Sequence, residues 1–296
     1  MKNTILIGII LLWGINTYSQ KINFELKDID TARVYNFHPD CNGANNAGVW
    51  EAENLVVLTE NLYPTDLNYE TMLVFVNFFD ALFETYVDIT SSPNLPIDGG
   101  FGAYNGKPTY HITTDMCPGY AGAASHGVLG NATGMGFFDL SYDRIESGDT
   151  SFCQVYTYEM HRNFWWGTDV WCEKIGWYVD NNPAAWGHWT LACNVANGSL
   201  LTNYLGVGVF EDPPYNDSEA FYHRNVDPFL YYLEHPEYNF DNNWLHGLIN
   251  YDWLPDTRGV NNLMTGLFIY SYENFGGLDW ERGFYTWLQS DEIIPD

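Results

Sequence analysis

The sequence predicts an α+β protein, with a small mixed sheet and a central helix in a first lobe and mostly helices in a second. Three observations lead there. Short strand-like runs separated by glycines cluster in the first half of the chain. Apolar residues spaced three and four apart mark two helices, one ending near Ile89 and one centred on Glu159. Beyond Trp166 the chain reads as successive helices broken at prolines.

Taken in order, Met1-Lys2, an apolar run from Ile5 to Trp13 and a polar stretch through Ser19-Gln20 read as a secretory signal peptide. That run is too short to span a bilayer, so a soluble, extracellular or periplasmic product is expected. The remainder, 21–296, reads as one domain with lobes of about 21–166 and 167–296. Ile22 to Leu26 is strand-like, and a Gly- and Asn-rich loop from Asp40 to Gly48 follows. Leu67 to Ile89 is the first helix, with Met72, Phe75, Phe78, Phe79, Leu82 and Tyr86 at helical spacing and Ser91-Ser92-Pro93 ending it. Strands are expected over Thr109–Thr114, Ala124–Leu129 and Gly134–Leu140. The central helix comes next. Later helices are expected at Val170–Asp180, Ala184–Asn197, Asp217–Glu234, Asn242–Trp253, Val260–Phe275 and Trp280–Leu288.

Charge narrows the partners. The formal net charge is −27, and −28 once Lys2 is removed with the leader. So acidic a surface argues strongly against nucleic acid or anionic membrane as partners. The 12 Trp, 22 Tyr and 18 Phe supply a ring-rich core and also flat faces on which sugar rings stack. Five cysteines in an exported chain predict two disulfides and one thiol. Cys172 with Cys193 and Cys41 with Cys117 are the expected pairs, leaving Cys153 buried at the start of the central helix.

That helix, Gln154 to Trp166, places Val155, Tyr158, Glu159, Arg162 and Trp166 along one side and Tyr156, Met160 and Phe164 along another. A helix apolar around most of its circumference belongs in an interior, so a charged pair on it needs a reason. Tyr158-Glu159-Met160-His161-Arg162 resembles the H-E-x-x-H of zinc metallopeptidases of the zincin type, where two histidines bind zinc and the glutamate activates water. Here Glu159 keeps the glutamate's place, while Tyr158 and Arg162 stand at both histidine positions. In the gluzincin branch, which includes enhancin-like mucin-degrading enzymes, a third ligand on the next helix precedes a Gly-Phe-Ala-like run. The matching run is Cys172 to Val179; Ile175 precedes its glycine and Glu173 lies two residues earlier. The resemblance covers about residues 67 to 180. It implies a zincin-like architecture from which the zinc ligands have been lost, so no metal or other cofactor is expected beyond a structural calcium near Asp98-Gly99-Gly100.

Two readings of Glu159 remain open. It forms a buried ion pair with Arg162, whose disruption typically costs about 3–5 kcal/mol. Alternatively it is a metal-independent acid or base, helped by Tyr158 and Arg162 and by a second carboxylate from Asp139, Asp143, Glu173 or Asp180. In the second case Trp165, Trp166, Trp177 and His126 line the cleft, and the partner is an extracellular glycan or glycoprotein bound by a monomer. His161 reads as a packed or surface residue. His188, His223 and His246 lack paired ligand spacing, although His126, Glu159 and His188 together would form an atypical metal site. A catalytically silent binding or structural protein with the same cleft is the remaining alternative.

Overall fold

A long helix and a mixed sheet enclose the aromatic residues that the sequence pattern singles out. In the computed structural model the described residues are 22–37, 45–90, 104–113, 122–123, 133–164, 195–198, 200, 202–211, 217–235, 237 and 260–290. Strands β1 (Asp30–Phe37), β2 (Asn45–Glu51) and β3 (Val56–Glu60) form an antiparallel meander. Helix α1 (Tyr69–Thr90) then crosses to β4 (Thr109–Ile112), which runs parallel to β3. Strand β6 (Thr133–Met135) is parallel to β4, and β5 (Gly122–Ala123) pairs antiparallel with β6 as the terminal strand, giving the order β1-β2-β3-β4-β6-β5.

Alternation along β2 and β3 explains how the sheet buries both faces. Ala47, Val49, Val56 and Leu58 gather on one side, while Trp50 and Val57 join the main core on the other. Gly48 is required where it stands: a Cβ there would collide with the Leu62 carbonyl and approach Thr59 Oγ1 to 2.7 Å.

Helix α1 is the spine of that core. Phe75, Phe78, Phe79 and Tyr86 are fully buried, as the helical spacing requires. Phe78 stacks on Phe152 with centroids 3.7 Å apart, and Phe75 meets Phe138 and Tyr156 edge-on. Next come α2 (Phe138–Glu146), β7 (Ser151–Cys153) and α3 (Gln154–Phe164), followed by β8 (Gly208–Phe210), α4 (Ser218–Glu234), α5 (Val260–Phe275) and α6 (Leu278–Gln289). Residues 195–198 and 202–204 are also helical. The Asp217 side chain caps α4 by accepting from the Ala220 N–H at 2.8 Å. α5 packs on α4 at Gly266, where a Cβ would collide with the Asn225 carbonyl. α6 lies against α1, so one hydrophobic core runs from Ile29 to Tyr285.

The α+β class is as the sequence predicts, and α1, α3, α4, α5 and α6 fall within two residues of their expected bounds. Three local expectations are corrected, and one element is added. Ile22 to Leu26 joins no strand; Asn23 instead bonds the Leu205 carbonyl, and Asn77 holds the following backbone at Lys27. Asn45 to Gly48, read as loop, belong to β2 because Gly48 fits a tight approach beneath Leu62. Gly134 to Leu140 is not one strand: the left-handed Phe137 (φ 63°) turns the chain into α2 and buries Phe138. Finally, the second lobe contributes β8, parallel to β7.

Candidate functional site

The centre of the candidate site is α3, which continues directly from β7. Its first turn is closed by Thr157, whose hydroxyl donates to the Gln154 carbonyl at 2.9 Å. Two long reaches fix its rotation. Tyr156 donates to the Phe137 carbonyl at 2.9 Å, and Tyr86 of α1 donates to the Thr157 carbonyl at 2.8 Å. Burial pushes both phenols well above the ordinary tyrosine range, so each remains a donor at any physiological pH.

Glu159 is 4 % exposed, as the helix pattern requires, and Tyr158 beside it is half-buried. His161 is wholly buried: its Nε2 lies 2.5 Å from the Tyr285 hydroxyl on α6, and its ring stacks on Tyr86 at 5.1 Å. Of the two placements expected for it, packed or surface, it takes the packed one. Asp139 and Asp143 are exposed on α2, so neither shares the burial of Glu159. His223 is exposed as well, and the Asp227 carboxylate 3.0 Å away raises its pKa. Arg162 belongs to α3, but its side chain is outside the described residues. Trp165, Trp166, Trp177, His126, Glu173, Asp180, His188, His246 and the calcium loop at Asp98 also lie outside them, as do Cys41, Cys117, Cys172 and Cys193. Cys153 is a buried thiol at the end of β7, where the odd cysteine was expected.

A second buried carboxylate, which sequence reasoning missed, faces the same interior from α6. Glu281 is 3 % exposed, and burial lifts its pKa to about 8 against a small opposing pull from Arg282. Tyr285, four residues on, is buried on the same face. One signal was present: Leu278, Glu281 and Tyr285 fall on one stripe, so a charge stands where a core residue belongs.

Two open clefts flank this interior. One, of about 310 Å³, is lined by Thr202, Asn203, Glu219, Tyr222, Tyr272 and Glu273. Tyr222 donates to Glu273 there at 2.9 Å. The other, of about 320 Å³, holds Lys27, Asp80, Glu84 and Asp88. At its edge Glu53, Asp80 and Glu84 offer oxygens within 4.8 Å of one another, a cation-sized spacing. Lys27 already bonds Glu53 at 2.7 Å, and Asn54 donates to both Asp80 and Glu84. No helix among the described residues is long and apolar enough to cross a membrane. Comparison with protein-family models, with curated proteins and with solved structures finds no match to this chain.

Proposed function

We propose that this is an exported, zincin-like protein that holds or cleaves an extracellular glycan or glycoprotein without zinc. One observation carries the reading: α3, with Glu159 inside the protein, packs beside β6 and the antiparallel terminal strand β5. That arrangement agrees with the resemblance at Tyr158-Glu159-Met160-His161-Arg162, in which an extended substrate pairs with a sheet edge beside the glutamate. Glu159 is the acid or base, and Tyr158, half-buried at the next position, orients it or stabilises negative charge. The cleft with Tyr222 and Tyr272 offers rings and carboxylates to a saccharide.

A silent cleft is the second reading. Burial of Val155, Tyr156, Met160, His161 and Phe164 around α3, with Asp139 and Asp143 turned to solvent, favours it. The test is a panel of polysaccharides and glycoproteins incubated with wild type and Glu159→Gln. Catalysis requires product from wild type and a loss of at least a hundredfold in the variant. Binding without product by both folded proteins leaves the silent cleft, and neither binding nor product sinks both readings. Metal analysis accompanies the assay: a stoichiometric transition metal would restore the metallopeptidase alternative.

A further inference from the structure

Between α6 and the helical residues 195–198 and 200 lies a small cavity whose walls are mostly apolar, among them Ala196, Leu200, Phe268 and Phe284. Two polar side chains interrupt that wall. Asn197 is 2 % exposed and Glu281 3 % exposed, and both line the cavity. Asn197 Nδ2 meets no acceptor and Glu281 Oε2 no donor among the described residues. A buried donor and a buried acceptor facing one space each carry a desolvation cost that a shared partner would remove.

We propose that Glu281 and Asn197 hold one buried water molecule between them, with Glu281 in its acid form. Size decides the ligand. The cavity measures about 10 Å³, at the lower bound of the roughly 10–15 Å³ that one water needs, so nothing larger enters. Polarity agrees, because a water wants two to four partners. Asn197 Nδ2 donates to it and the Glu281 carboxyl group bonds it.

The protonation state follows from the surroundings. Arg282, the nearest cation in sequence, is turned outward: it binds Asp88 at 2.5 Å and Asp279 at 2.6 Å. Among the described residues, Tyr86 from α1 and Tyr272 from α5 lie within electrostatic reach of Glu281, and both are phenols that remain neutral. Tyr285 on its own helix contacts His161 of α3. Among the described residues no charge therefore compensates an ionised carboxylate in the cavity, and the acid form is the cheaper one. Tyr285, which lines the same cavity, carries the hydroxyl that meets His161, and the proposal holds whether or not α3 is catalytic.

The mature chain, crystallised near pH 6 at a resolution that places solvent, should show one peak in hydrogen-bond reach of Glu281 Oε2 and Asn197 Nδ2. Absence of that peak, or a direct Glu281–Asn197 bond, overturns the proposal. Infrared difference spectra between wild type and Glu281→Gln at the same pH test the acid form. Loss of a carboxylic-acid carbonyl band in the variant supports it, and loss of a carboxylate band overturns it. Should Glu281→Gln fail to fold, Asn197→Leu fills the cavity and displaces the water. Its carboxylic-acid band should then move to higher frequency; an unmoved band overturns the proposal.

Discussion

Helices α3 and α6 each bury a glutamate in the same core and touch where His161 meets Tyr285, yet only one of the two glutamates could be singled out in advance. Glu159 stands in a recognisable spacing on a helix ringed by aromatics. Glu281 sits in Leu278-Asp279-Trp280-Glu281-Arg282, where charges on both sides give it the look of a solvent-facing residue. The lesson is that a motif marks which acid to examine, whereas packing can bury an acid that no motif marks. Tyr86 links the two helices: it bonds the α3 backbone, stacks on His161 and lies within electrostatic reach of Glu281.

The largest effect that sharpens the comparison concerns pH. Glu281 has an ordinary unfolded pKa near 4.5 and a folded value raised to about 8. Between those values the folded chain binds more protons than the unfolded one, so stability falls as pH rises through that window and is fully present below it. The change is on the order of 4 kcal/mol for this group. Urea denaturation from pH 4.5 to 8.5 should show that decline in wild type, and Glu281→Gln should flatten most of it. An unchanged slope in the variant would mean that α6 carries no perturbed acid, and the contrast with α3 would collapse.

Tyr285→Phe comes next. It removes the hydrogen bond at His161 and leaves a buried ring nitrogen without that partner, a loss of about 1–3 kcal/mol in chemical denaturation. A loss under about 0.3 kcal/mol would show that the two helices are coupled by packing alone. The smallest expected effect is from Tyr86→Phe, about 1 kcal/mol, because the Thr157 carbonyl already has its helical position and loses only a second donor. A double-mutant cycle of Tyr86→Phe with Tyr285→Phe should give a coupling energy of at least about 0.5 kcal/mol, since both residues grip His161.

Much of the fold was legible because periodicity is local. Phe75, Phe78, Phe79 and Tyr86 fixed the spine helix, and Asp217 with its cap and Val260 to Phe275 fixed two more. What escaped depends on partners distant in sequence. Gly48 reads as loop until Leu62 and Pro64 close over it. Phe137 and Phe138 read as strand until one residue adopts a left-handed turn. For the site, the burial of Glu159 could be read from the helix pattern, whereas for Glu281 the stripe with Leu278 and Tyr285 was a weaker signal, completed only by Ala196, Leu200 and Phe268 from distant elements. Asn197 gave no warning at all, since an asparagine near a helix end is ordinary until its amide is sealed inside.

The pairing of β7 with β8 has a consequence for synthesis. Ser151 to Cys153, which lead straight into α3, find their parallel partner only at Gly208 to Phe210. A nascent chain that has just completed α3 therefore carries an unmatched strand edge, and closing a loop of that length precedes any reward from the pairing. The strand that leads into the helix bearing Glu159 therefore gains its sheet partner only once residues 208–210 have been made.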